Sequence, residues 1–148
     1  GPHQQLHRII PKTLYCIFNK KKLLLHGGGK SVRSFIYIDD FCEGIYQSMK
    51  KGRLGEIYNF TNREYVSIAW LVKKICLLTS TNFNKLVKIT KDRPTKDHAY
   101  KMDPTKAEKE FKWKAKYSIE DGLKKTICWY KTNKNQVSSL RKIYVHKP

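Results

Sequence analysis

An α/β domain built on a small mixed sheet is what this sequence predicts, and three observations carry that reading. Short β-branched or aromatic runs alternate along the chain with longer stretches whose apolar residues recur at helical spacing. The 148 residues are 40% hydrophobic, enough for one domain with a real core. The strand-like runs are few and short, so the sheet is expected to be small and irregular, like part of a larger body.

Ile9 to Phe18 is largely apolar around Pro11, a residue tolerated in a first helical turn, which predicts a helix from about Pro11 to Asn19. Lys20 to Lys22 would close it, because cations suit a helix C-terminus. Leu23 to Leu25 reads as a short strand, and Gly27, Gly28 and Gly29 turn the chain back. Arg33 then stands at the mouth of the apolar run Phe35 to Ile38, read as a strand, and Asp39 or Asp40 can cap the helix after it. That helix is expected from Asp40 to Lys51, with Phe41, Ile45 and Met49 on one face and Gly52 ending it. Glu56 to Phe60 alternates like a strand. Ser67 caps a helix whose inner face is Ile68, Leu71, Val72, Ile75 and Leu78, and Leu86 to Thr90 is strand again. Asp103-Pro104 starts a helix, a capping carboxylate followed by Pro at the first helical position. Ser118 opens the last one, where Ile119, Leu123 and Ile127 form a stripe ending in Trp129-Tyr130. Residues 1–131 are thus the folded portion and 132–148 a basic, polar tail.

The net charge of +19 would ordinarily suggest a nucleic-acid partner. Only six of the 31 basic residues are Arg, however, and the Lys residues are scattered rather than gathered on one face. Arg reads base edges and forks onto phosphates, so nucleic-acid binding is not expected. Cys16, Cys42, Cys76 and Cys128 are widely spaced and lack His at ligand spacing; they read as small buried hydrophobes in a reducing compartment, with no zinc site. No stretch has the roughly 18 apolar residues of a membrane span, and no charged and apolar leader is visible, so a cytoplasmic location is expected and the sequon Asn59-Phe60-Thr61 reads as chance. The opening Gly1-Pro2 is either a protease scar or the edge of a piece excised from something longer.

Arg33, held by strand backbone just after three glycines, offers a rigid donor fork for a phosphate or carboxylate. The alternative is a surface Arg paired with Asp39 or Asp40. Gly29-Lys30-Ser31 imitates the end of a phosphate-binding loop, but the loop's first glycine would fall on Leu24 and strand comes next where a helix is needed. Tyr46 with Lys50 and Tyr130 with Lys134 match Tyr-x-x-x-Lys, at about the frequency that chance gives in so Lys-rich a chain. No dinucleotide-binding glycine fingerprint is present. Asp92 to Asp97 concentrates charge around Pro94, and Arg93 there could close over an anion or simply be solvated.

Taken in order, these pieces resemble the C-terminal half of extended short-chain dehydrogenase/reductase enzymes acting on sugar nucleotides, in particular the dTDP-glucose 4,6-dehydratase family. The resemblance runs from Gly1-Pro2-His3-Gln4 and Arg8-Ile9-Ile10-Pro11-Lys12 through His26-Gly27-Gly28-Gly29 and Val32-Arg33 to Asp40. It continues with Gly55 to Asn59, Asp92-Arg93-Pro94 and the closing Gly122 to Tyr130. The Asp-Arg-Pro loop favours a 4,6-dehydratase over epimerases and decarboxylases of the same superfamily; those, or a free-standing basic binding module, are the alternatives.

The resemblance implies the C-terminal part of an NAD(P)-binding Rossmann-type fold without its N-terminal portion, and a site for dTDP-glucose or UDP-glucose. Arg33 would fork onto the pyrophosphate, Arg8 would stand where the family usually has Lys, and Ile9 would come next to it in the site. Leu24, Leu25 and His26 would correspond to the segment that holds the base, usually Pro, an aliphatic residue and Tyr, which leaves thymine against uracil selection open. Asp92, Arg93, Pro94, Thr95 and Lys96 would fold over the nucleotide's other side, Lys96 standing where bacterial members often have His. Ser67 falls near a family Asn, and Asn59 is a further candidate. The family's NAD cradle, its Tyr-x-x-x-Lys and its acid-base residues all precede the matched region. The whole enzyme, a homodimer by family habit, would oxidise the sugar's 4-hydroxyl with NAD, eliminate water between the 5- and 6-positions and return the hydride. This chain alone would supply substrate binding, with no catalytic residue and no bound cofactor.

Overall fold

The computed structural model describes residues 1–92 and 97–138. In chain order the first elements are α1 (Ile9–Phe18), β1 (Leu23–His26), β2 (Val32–Ser34), α2 (Ile38–Lys51), β3 (Tyr65–Ser67) and α3 (Ile68–Leu78). After these come α4 (Phe83–Leu86), β4 (Val87–Thr90), α5 (Thr105–Phe111), α6 (Ile119–Thr132) and α7 (Lys134–Ser138). The strands form two short ladders. β1 runs parallel to β4, from Leu23 opposite Val87 to His26 opposite Thr90. β2 runs antiparallel to β3, with Arg33 opposite Val66, and on its other edge Val32 forms a parallel bridge with Ala99.

Helix α3 is the centre of the packing. Its start is fixed by Ser67, whose Oγ accepts from the Trp70 N–H, and its apolar residues recur so that Leu71, Val72 and Ile75 are wholly buried. One side meets α1 and α6 through Leu14, Leu71, Ile75, Leu123 and Ile127. The other meets β1, the end of α4 and the start of β4 through Leu23, Leu25, Val72, Cys76, Leu86 and Val87. Each fully buried Leu or Ile contributes about 1.5–3 kcal/mol, so these two clusters dominate stability. A third cluster joins Phe60, Ala107, Phe111 and Trp113.

The structure corrects several expectations. The strand at Arg33 is Val32–Ser34, earlier than Phe35 to Ile38, and α2 begins at Ile38 with Tyr37 as its extended N-cap. Neither carboxylate caps it: both lie in the first turn, where they suit the helix dipole. Asp40 is buried and accepts from the Tyr117 N–H at 3.0 Å, while its carbonyl accepts from Trp113 Nε1, which ties α2 to the segment before α6. The Phe41, Ile45 and Met49 stripe faces outward, Met49 being 80% exposed, because the inward face is Asp40 and Gly44. Gly44 lies so close to the Phe60 ring that any side chain there would push the helix away.

Glu56 to Phe60 has no partner strand among the described residues. Side chains hold it instead: Tyr58 and Phe60 turn inward onto Phe111, while Ile57 stays 79% exposed. Leu86 ends a short helix before β4, and α5 starts at Thr105, whose N–H donates to Asp103 Oδ1 while Pro104 occupies the N-cap position. α1 ends at Asn19, with Lys20 in the left-handed region and no basic residue in the last turn. Cys16 and Cys76 are buried as expected, but Cys42 and Cys128 are exposed; all four are free thiols. Of the tail expected over residues 132–148, residues 139–148 lie outside the described residues, while α7 within it places Val137, 2% exposed, in the α1, α3 and α6 core. No described helix is long and apolar enough to cross a membrane, and no group of three metal-ligating side chains occurs among the described residues.

Candidate functional site

A cleft of about 540 Å3 opens between the start of α1, the end of β1 and β2. Its walls bring together six residues that the sequence singled out: Arg8, Ile9, Leu24, Leu25, His26 and Arg33. The described lining carries Arg8, Lys12 and Arg33 and no Asp or Glu, so the cleft is cationic.

Local sequence explains the shape. Arg8 is the extended N-cap of α1, with no side-chain cap and no acidic residue in the first turn. Pro11 has no N–H, and the N–H of Lys12 already donates to the Arg8 carbonyl. Arg8, Ile9 and Ile10 all line the cleft, so the positive end of α1 opens on it. On the opposite wall the glycine turn folds β1 back towards β2. Gly27 has φ +57°, a backbone conformation that favours glycine, and a side chain there would displace the Asp92 carboxylate.

Arg33 is aimed by carbonyls. Its Nη1 donates to the Val32 carbonyl at 2.7 Å and its Nη2 to the Asp97 carbonyl at 2.9 Å. Asp40, an alternative partner by sequence, is spent on Tyr117. At the far side Leu24, 45% exposed, shares a face of β1 with His26, whose Nδ1 lies 2.9 Å from Thr90 Oγ1 on the paired strand. That contact fixes the ring and leaves Leu24 as an open apolar surface beside it.

The other expected residues are more scattered. Ser67 caps α3 immediately before Ile68, which lines the cleft. Asn59 lies away from the cleft, with Nδ2 donating to the Asp103 carbonyl at 3.4 Å. Asp92 packs against Gly27. Arg93, Pro94, Thr95 and Lys96 lie outside the described residues. Lys12 and Ser31 line the cleft without having been singled out. The spacing signals Lys12, one helical turn after Arg8; Ser31 stands out in the sequence only as the end of Gly29-Lys30-Ser31, the imperfect imitation of a phosphate-binding loop.

Fold and cleft together define an α/β protein with a cationic cleft that has the charge to hold an anion. The family model described as GDP-mannose 4,6 dehydratase matches residues 1–126, and the chain belongs to that family. It is 36% identical over 140 residues to a dTDP-D-glucose 4,6-dehydratase of Homo sapiens, covering 90% of this chain and 39% of the relative. Among solved structures, a dTDP-glucose 4,6-dehydratase from Bacillus anthracis in complex with NAD superimposes with a TM-score of 0.88 at 30% identity, over 95% of this chain and 44% of that one. The Bordetella bronchiseptica enzyme WbmF in complex with NAD+ and UDP gives 0.75 at 31%, over 88% and 38%. The chain spans about two fifths of the length of these curated and solved relatives, and its fold is the corresponding part of an extended short-chain dehydrogenase/reductase.

Proposed function

We propose that this chain is the substrate-binding part of an NAD-dependent nucleotide-sugar 4,6-dehydratase acting on dTDP-glucose or UDP-glucose. The observation that carries the reading is the cleft itself, where Arg8, Arg33 and the positive end of α1 line one space with no carboxylate among the described lining residues. Such a site takes a pyrophosphate, while Leu24 and His26 offer a flat, partly apolar surface for the base. Asp92 to Lys96 would complete the nucleotide's other side.

NAD does not fit the residues present. The glycine turn leads from strand to strand, not into a helix N-terminus, and the hydride chemistry therefore belongs to a remainder of the enzyme outside these residues. That remainder would seat on the outward stripe of α2 and on segment 56–60, which has no partner strand among the described residues. The role of this chain is to bind and orient the nucleotide sugar.

Calorimetric titration of the 148-residue chain with dTDP, UDP and thymidine tests the reading. The diphosphates should bind at least about tenfold more tightly than thymidine, and more weakly in high salt. Equal affinity for dTDP and thymidine overturns it.

A further inference from the structure

The guanidinium of Arg33 is not placed by its own strand alone, and the structure shows what else holds it. β2 is flanked on one side by β3 and on the other by residues 98–100. There the Val32 N–H donates to the His98 carbonyl at 2.9 Å and the Tyr100 N–H to the Val32 carbonyl at 3.2 Å. That same Val32 carbonyl accepts from Arg33 Nη1, and the Asp97 carbonyl, just before the bridge, accepts from Nη2. Two of the five guanidinium N–H donors are thus fixed by backbone acceptors, and no described residue is shown to take the other three. Because each Nη is held at one hydrogen, the plane of the fork is set by the backbone.

We propose that the segment Asp97 to Tyr100 is a positioning element for the anion site, acting through Arg33: its pairing with Val32 aims the guanidinium into the cleft. This rests on the function proposed above and adds that a backbone stretch outside the cleft lining sets anion affinity. The side chain of Tyr100 is 55% exposed and is not needed; its N–H is.

Inorganic pyrophosphate is the probe, titrated into the whole 148-residue chain and its variants. Tyr100→Pro, which removes the donor to Val32, should weaken binding about tenfold, whereas Tyr100→Ala, which keeps it, should stay within about twofold. Arg33→Lys should weaken binding comparably, and combined with Tyr100→Pro it should add little, because both changes remove the same aimed fork. Full additivity of the two, an equal loss for Tyr100→Ala, or no loss for Tyr100→Pro each overturns the proposal. In the unsubstituted protein, pyrophosphate should slow hydrogen exchange at the Val32 and Tyr100 amides, and unchanged exchange also overturns it, so the test survives if Tyr100→Pro fails to fold. If Arg33→Lys is itself silent, the anion-site reading falls; if Arg33→Lys weakens binding and Tyr100→Pro does not, only the positioning role falls.

Discussion

Arg33 and Lys30 are three residues apart, both come after the glycines, and both carry one positive charge, yet only Arg33 lines the cleft. Arg33→Lys should weaken dTDP-glucose or UDP-glucose binding by about 1.5–3 kcal/mol, roughly ten- to more than a hundredfold, because an ammonium cannot span two oxygens in parallel. Lys30→Gln should cost much less. Equal losses by calorimetry would make Arg33 one member of a general basic surface. Tyr130 makes a second prediction at this scale. Burial, with lesser contributions from Tyr15 and Cys16, pushes its phenol up from 10.0 to about 12. The folded state holds the proton more tightly than the unfolded one, so this group costs nothing below pH 10, and stability falls as the unfolded phenol ionises between pH 10 and about 12. Tyr130→Phe keeps the ring stacked on Phe18 and should flatten that alkaline loss; an unchanged pH profile of the melting temperature would show that Tyr130 is not its source.

At the scale of elements, the outward stripe of α2 and the adjoining residues 54–57 both expose apolar side chains, and the Phe41 ring packs edge-on against buried Phe60 between them. Of these side chains Ile45 is 41% exposed, Met49 and Ile57 are about twice as open, and Leu54 is fully exposed. The backbone of Glu56 to Phe60 lacks a strand partner among the described residues. Open strand backbone beside exposed apolar side chains drives association. The isolated chain should therefore associate as its concentration rises, and Ile45→Lys with Met49→Lys should abolish this in sedimentation equilibrium; a monomer at all concentrations would contradict it. The same surface shows where sequence reading stops. α3 and α6 were legible because each couples a Ser cap to an apolar period, and both signals are local. The outward turn of α2 was not, since it depends on Gly44 meeting Phe60, a contact between residues with no shared local pattern. Segment 56–60 has strand alternation, but pairing needs a partner strand, which a period cannot supply. In the cleft, Arg8 and Arg33 could be singled out through motif resemblance, whereas the meeting of Lys12 with Ser31 across it depends on how α1 and the glycine turn face each other.

For the whole molecule the question is what a chain two fifths the length of its relatives can do unaided. Holding NAD requires glycines between a strand and a helix whose N-terminus meets the dinucleotide's pyrophosphate. Here Gly27, Gly28 and Gly29 all have positive φ, but they join β1 to β2, so they do not lead into a helix N-terminus. Proton transfer by a Tyr-x-x-x-Lys pair requires the phenol in a substrate cleft. Tyr46 instead lies half exposed on α2 with the Lys50 ammonium 4.3 Å from its ring centre, and Tyr130 is 3% exposed in the core with its phenol held protonated. Neither lines the cleft, where the groups present are suited to holding an anion. The chain alone should therefore bind dTDP or UDP in calorimetry, show no heat with NAD, and form no 4-keto sugar from dTDP-glucose or UDP-glucose when NAD is supplied. A micromolar dissociation constant for NAD would overturn this division of labour, because it would require a dinucleotide site built from residues that offer neither a glycine-rich helix start nor an aimed phenol.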